Sequence, residues 1–499
     1  PAGLKGREDL RDIDLLTIDP ADARDRDDAV LAIPDDDPKN EGGFILWVAI
    51  ADVAHYVRPG SALDREARKR GNSTYFPDRV VPMLPEELSA DLCSLHENEV
   101  RPCLAVRMVI DARGEKIRHK FVRGLMKSRA SLTYGDAQTA FDGAANDRAA
   151  PFADDILIPL YKAWQCLKQA RDKREPLDLD LPEHQIALGE DGHVASVRLR
   201  ERFDAHRLIE DFMILANVAA AETLEQSPYP CLYRIHETPS PEKLSALGDY
   251  LATLGFKLAK GQNLRPNHFN HLIGKARGTP HADVVQETVL RSQMQAVYTS
   301  DNMGHFGLNL RRYAHFTSPI RRYADLYVHR ALIRAGKLGD DGATDEEIVR
   351  LTQTAEHISQ TERRSMTAER STVDRYMAHF MRDRIGAEFP GRISGVNKAG
   401  IFVRIDTLGA DGLVPMSRLG GDYYIHDESK FALIGRNSGL AYSLGDKVEV
   451  RLLETAPLKG GLLFELIDHT PQIKHATPGH GRKRPPRKAG ARHKKKRRS

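Results

Sequence analysis

A chain of 499 residues, 41% hydrophobic and 29% charged, is too long for a mini-protein and carries apolar material for about three packed domains. Its longest apolar stretches, such as residues 212–221, fall well short of the roughly 20 residues that cross a bilayer, so no membrane span is expected. The net charge of +4 conceals a division: of 74 Lys and Arg, 12 lie in residues 469–499, where no acid occurs, which leaves 62 basic against 70 acidic residues, or −8, in the rest.

The chain opens on Pro1 without a charged-then-apolar leader, which reads as a processed or shortened form that has lost its natural start and, with it, an amino-terminal module. Leu15-Leu16-Thr17-Ile18 then predicts a strand leaving a core. It runs into five aspartates within ten residues, Asp19, Asp22, Asp25, Asp27 and Asp28, interrupted by Arg24 and Arg26. Two such charges about 4 Å apart repel by on the order of 4 kcal/mol at an effective dielectric near 20. The two arginines offset part of this; a hard divalent cation such as Mg2+ is the better match for carboxylate oxygens, and an exposed charged turn is the alternative. A calcium loop does not fit, because Asp25, Asp27 and Ala29 do not complete its ligand pattern and no glycine stands sixth.

Residues 44–52 and 104–110 predict further strands, the second ending in the turn Asp111-Ala112-Arg113-Gly114. Cys93, Cys103, Cys166 and Cys231 form no CxxC pair, which argues against a zinc site or a disulfide framework and suits a reducing, cytoplasmic setting. Residues 207–226 predict a helix. Between Gly304 and Arg330 the run GHFGLNLRRYAHFTSPIRRYADLYVHR places Pro319 near an expected helix start, with Arg321 and Arg322 one turn inside. Their planar forks suit a phosphate; pairing with Asp325 is the alternative. His305, His315 and His329 match no zinc spacing and read as packing residues. Residues 345–385 predict one or two charged helices closed by Gly386 in a left-handed cap. Short strands follow at 391–396, 400–405, 412–415, 447–454 and 461–466, the pattern of a small Greek-key barrel. The cationic end, with Pro485-Pro486 and the run from Lys494 to Arg498, cannot bury a core and is expected to be disordered, contacting nucleic acid, with a solubilising or ribosome-sticking tail as the alternative.

The spacing of Asp19, Asp25, Asp27 and Asp28 resembles the catalytic motif of the ribonuclease II and ribonuclease R family of 3′-to-5′ exoribonucleases. The likeness continues through Tyr75-Phe76-Pro77, Val81-Pro82-Met83-Leu84-Pro85, Leu88-Ser89-Ala90-Asp91-Leu92-Cys93-Ser94-Leu95 and Asn98-Glu99-Val100-Arg101-Pro102. His315-Phe316 and the paired Arg321-Arg322 bring it closer to ribonuclease R than to ribonuclease II. The resemblance implies an α+β chain: a large mixed α/β catalytic domain of RNB type over residues 1–385, an S-one-type OB-fold barrel over 386–468, and the basic tail over 469–499. It implies that Asp19, Asp25 and Asp28 hold Mg2+, two ions during catalysis, while Asp27 positions a metal or the attacking water. Arg321 would contact the scissile phosphate, with Arg322 beside it on the RNA. Tyr75 would stack on the terminal base, its alternative being a core aromatic; Glu369 would lie near the terminal nucleotides, its alternative being a solvated ion pair.

In the barrel, Gly400-Ile401-Phe402-Val403 and Asp411-Gly412-Leu413-Val414-Pro415-Met416-Ser417 carry the likeness. Phe402, Tyr423 and Tyr424 are stacking candidates or core fillers. The cold-shock-type domains that usually precede the catalytic region in this family are absent from the sequence. The expected activity is Mg2+-dependent, processive hydrolysis of RNA from a free 3′ end by a monomer, releasing nucleoside 5′-monophosphates. A non-catalytic RNA-binding regulator and a metal-dependent endonuclease are the competing readings.

Overall fold

The computed structural model describes residues 3–258 and 264–471; the basic stretch beyond residue 471 lies outside the described residues. Strands rich in apolar side chains build the centre. Phe44–Ala51 and Val100–Ile110 are adjacent strands of a five-stranded sheet in the order Glu8–Leu10, Lys116–Lys127, Val100–Ile110, Phe44–Ala51 and Asp28–Pro34. All neighbours are antiparallel except the first pair. Leu46, Val48, Leu104 and Val106 are buried because the helices Ile158–Arg174, Asp204–Glu225 and Tyr323–Gly336 join the same apolar core.

The charged stretch after residue 344 forms two helices, Asp345–Val349 and Leu351–Phe380. Thr344 opens the first with a reciprocal capping box to Glu347. The second has 30 residues, about 45 Å at 1.5 Å per residue, and belongs to two cores. Leu351, Ala355 and Ile358 pack in the main core, whereas Met377 and Ala378 pack in that of the barrel. The helix stops at Phe380, earlier than the sequence suggests, and a short turn, Arg382–Arg384, leads to Gly386, whose φ of +91° redirects the chain.

Five strands, Glu388–Asn397, Gly400–Ile405, Asp411–Pro415, Lys447–Ala456 and Gly461–Thr470, close into a barrel. Gly412 is required inside it: a Cβ there would lie 2.3 Å from the Phe464 ring. The last strand runs past Asp468, where the sequence suggests the tail begins, because His469 and Thr470 still pair with Val448 and Lys447. Two additions have no counterpart in the sequence reading. A three-stranded sheet, Tyr424–Asp427, Ala432–Gly435 and Ala441–Ser443, is inserted between the third and fourth barrel strands. A hairpin, His184–Leu188 with Val194–Leu199, lays Ile186 and Val197 on the barrel core. The barrel is fixed to the larger body by the Tyr250 hydroxyl, which donates to the Leu444 carbonyl at 2.8 Å, and by Arg404 on Glu287 at 2.6 Å.

Candidate active site

The acidic segment connects Thr17–Asp19 to Asp28–Pro34. Leu15, Leu16 and Ile18 are buried, and Thr17–Asp19 pairs in parallel with Ser131–Thr133, so the core itself delivers Asp19 to the surface of the sheet. The connection is pinned along its length. The Ser94 hydroxyl donates to the Arg24 carbonyl at 2.8 Å and accepts the Arg26 N–H at 3.1 Å. Leu95 N–H donates to the Arg26 carbonyl and Ala51 N–H to that of Asp27. Asp22, which falls outside the motif spacing, is exposed.

Asp27 is buried at 4% exposure. Its Oδ1 accepts the Ile320 N–H at 2.9 Å, and Arg321 Nε stands 3.6 Å from its Oδ2. Arg26 Nε lies 3.9 Å from Asp19 Oδ2. Among the described residues, neither Asp19 Oδ2 nor Asp27 Oδ2 has a hydrogen-bond partner, although both are shut off from solvent. The energetic consequence follows. Burial, with repulsion from Asp25, lifts Asp19 to about 6; burial, with repulsion from Asp19, lifts Asp28 to about 8. Burial drives Asp27 well above the carboxylate range, with Asp25 and Asp28 adding to it.

No three such groups among the described residues converge closely enough to hold an ion as they stand. The donor chemistry nevertheless fits a divalent cation: all-oxygen ligands, two buried oxygens lacking partners, and more negative charge than Arg26 and Arg321 neutralise.

Arg321 and Arg322 do not lie inside the helix, which corrects the sequence reading. Asp325 accepts the Ser318 N–H at 2.7 Å and both Nε and Nη2 of Arg322 at 2.8 Å, holding residues 318–322 as a turn ahead of Tyr323–Gly336. Arg322 is therefore engaged by Asp325. Arg321 keeps a half-exposed guanidinium beside Asp27. Its backbone is clamped by an adjacent strand, with Ser73 N–H donating to the Arg321 carbonyl and Tyr323 N–H to that of Gly71. Between these segments lies a cavity of about 190 Å³ lined by Asn72, Tyr75, Tyr298, Arg321, Arg322 and Glu362.

The same strand carries Tyr75, which is 38% exposed and thus no core aromatic. Its hydroxyl donates to Asp25 Oδ2 at 2.8 Å, and its N–H donates to Glu369 Oε1 at 2.7 Å. Glu369 is accordingly brought to the site by the long helix. Thr74 and Ser365 add a hydroxyl pair at 2.9 Å one turn away. Of the barrel aromatics, Phe402 is half-buried and Tyr423 is 67% exposed. Tyr424 is not a stacking residue: at 5% exposure it faces the barrel core, its hydroxyl donating to the Leu419 carbonyl. Tyr423, just ahead of the strand Tyr424–Asp427, faces outward while Tyr424 faces inward, so the two do not share a role.

His315 and His329 are indeed packing residues, bonded to the Tyr298 hydroxyl and the Phe316 carbonyl. Sequence reasoning missed Tyr134. Its ring stacks on His206 at 3.9 Å, and the charges of Asp28 and Asp19 reinforce burial in raising its phenol. The capping box of Thr133 with Asp136 at the start of the helix Tyr134–Phe141 was the available signal for a fixed side chain there.

A sheet that delivers a surplus of carboxylates to a basic turn, joined to a five-stranded barrel, defines an acidic-site protein with an OB-type barrel appended to it. The RNB domain family matches residues 7–337 and the S1 RNA binding domain matches residues 382–465. The chain belongs to the RNB family. It is 42% identical over 457 residues to Ribonuclease R of Escherichia coli, covering 90% of this chain and 56% of that protein. Ribonuclease R of Aquifex aeolicus is 40% identical, with 93% and 65% covered. The structure of Mycoplasma genitalium RNase R in complex with ribose methylated single-stranded RNA matches with a TM-score of 0.87 at 29% identity, covering 92% of this chain and 72% of that one. The chain thus spans 56% and 65% of the length of those two curated relatives.

Proposed function

We propose that this chain is a hydrolytic 3′-to-5′ exoribonuclease that removes nucleoside 5′-monophosphates from single-stranded RNA, processively and without sequence preference. One observation carries the reading: Asp27, deeply buried, has one oxygen fixed by Ile320 and the other unpartnered beside Arg321. A buried carboxylate left in that state is costly to the fold unless a ligand completes it. The RNA-bound structure of a 29%-identical relative supports the substrate class.

Asp19, Asp25 and Asp28 would hold Mg2+, with Asp27 beside them. Divalent ions, when bound, supply Lewis-acid polarisation of the phosphate. Asp27, oriented by Ile320, positions water for in-line attack on the last internucleotide phosphate, with the penultimate 3′ oxygen leaving. Arg321 donates to the phosphoryl oxygens as charge develops on them. Tyr75 stacks on the terminal base, a contact open to any base because each has a π face, and Glu369 holds the strand carrying that ring. Tyr423 and Phe402 serve the strand upstream. Arg322 supports Arg321 from its pair with Asp325. We place the protein in the cytoplasm as a monomer, with its basic end on RNA or the ribosome.

End-labelled RNA tests this. A 3′ label should appear at once as mononucleotide, and a 5′ label should pass from full-length strand to a short end product with few intermediates, both stopped by chelation of divalent ions. Internal fragments from either substrate would refute the exonucleolytic reading.

A further inference from the structure

Tyr75 is assigned above to stacking, which uses its ring. Its hydroxyl has a separate partner, Asp25 Oδ2 at 2.8 Å, and its backbone N–H is held at 2.7 Å by Glu369. Thr74 and Ser365 repeat the connection one turn earlier on the long helix. A relay therefore runs from the helix through Tyr75 to one carboxylate of the acidic cluster. Asp25 sits in the connection between two strands, and no other side-chain donor is recorded on its carboxylate among the described residues. Carboxylates that bind metals depend on outer donors of this kind to fix which oxygen faces the ion.

We propose that Tyr75 is a positioning residue for the divalent-cation site: its phenol O–H orients Asp25 so that the other carboxylate oxygen faces the ion. This rests on the metal reading of the aspartate cluster and adds a second role to a residue otherwise assigned to the RNA base. Tyr75→Phe separates the two roles, because it removes the hydroxyl and keeps the ring. Glu369→Ala loosens the strand that carries Tyr75, whereas Glu369→Gln retains an acceptor for its N–H.

The test is Mn2+ binding to the full chain without RNA, followed by the paramagnetic resonance of the free ion. Tyr75→Phe should weaken Mn2+ binding tenfold or more, as much as Tyr75→Ala does. Glu369→Ala should weaken it less, with rescue by Glu369→Gln. Binding of a 2′-O-methylated oligonucleotide in chelator should survive in Tyr75→Phe and fall in Tyr75→Ala. In an Asp25→Asn background, Tyr75→Phe should cost nothing further, since the two act as one unit. Unchanged or tightened Mn2+ binding in Tyr75→Phe overturns the inference while leaving the nuclease reading intact. A wild-type chain that degrades RNA yet binds no Mn2+ overturns both the metal reading and this inference.

Discussion

Two groups of aspartates and arginines with opposite electrostatics meet at one end of the paired strands Asp28–Pro34 and Phe44–Ala51, one around Asp28 and the other around Asp52. In one, Asp52 receives Arg7 at 2.6 Å and Arg123 at 2.7 and 3.1 Å, while Arg123 also donates to Asp341. Burial alone would raise Asp52, but Arg123 and Arg7 outweigh it and hold the carboxyl below its ordinary range. In the other, Asp19, Asp27 and Asp28 are raised by the same burial because, among the described residues, no arginine comes closer than 3.6 Å. A buried carboxylate with its lone pairs filled is part of the scaffold. One with oxygens left over is the kind of group that the proposed cation would complete.

The contrast can be broken by mutation. Asp27→Asn should cut turnover about 1,000-fold or more while RNA binding persists and the metal-free fold is no less stable. Single-turnover kinetics with a binding titration checks this; preserved cleavage would remove Asp27 from the chemistry. Asp52→Asn should do the reverse, costing the fold about 3 kcal/mol by removing the charge that Arg7 and Arg123 share and leaving Arg123 with Asp341 alone, read from denaturant unfolding. If Asp52→Asn left stability unchanged, the scaffold half of the contrast would fail.

A smaller version of the contrast sits in adjacent tyrosines. Tyr423→Ala should weaken RNA binding by about 1–3 kcal/mol without lowering the melting temperature, whereas Tyr424→Ala should lower the melting temperature because its ring fills the barrel. Equal effects in both assays would erase the distinction.

The pH dependence sharpens the comparison further. Asp19 and Asp28, at about 6 and 8 in the fold, exceed the unfolded carboxyl value of roughly 3.9. The folded chain therefore binds more protons than the unfolded one between those values, and the stability of the metal-free protein should fall as pH rises toward 8. Mg2+ should reverse that trend, its affinity rising about tenfold per pH unit for each proton released. Asp52 behaves oppositely: its contribution is lost only as pH falls through its depressed folded value. Thermal melts from pH 5 to 8.5, with and without Mg2+, decide the sign.

Much of this was legible in the chain. The five barrel strands follow from short β runs separated by glycine and turn residues, and the closed barrel uses all five. The inserted sheet was not legible, since Tyr424–Asp427 and Ala432–Gly435 are four-residue strands without clear alternation. The helical placement of Arg321 and Arg322 failed because a proline before a basic pair looks like a first turn. The Asp325 carboxylate instead binds residues ahead of the helix and delays its start to Tyr323.

What the sequence determined by itself is the supply of carboxylates, Asp19, Asp25, Asp27 and Asp28 within ten residues; how closely they gather depends on the path of the chain, since nine residues span about 30 Å when extended. The tertiary structure alone decided which oxygens were left without partners. It also decided which arginine faced them and which tyrosine reached them. Those outcomes depend on segments 293 and 294 residues apart, Ile320 on Asp27 and Glu369 on Tyr75, and no local pattern encodes that a distant Arg321 stands 3.6 Å from Asp27.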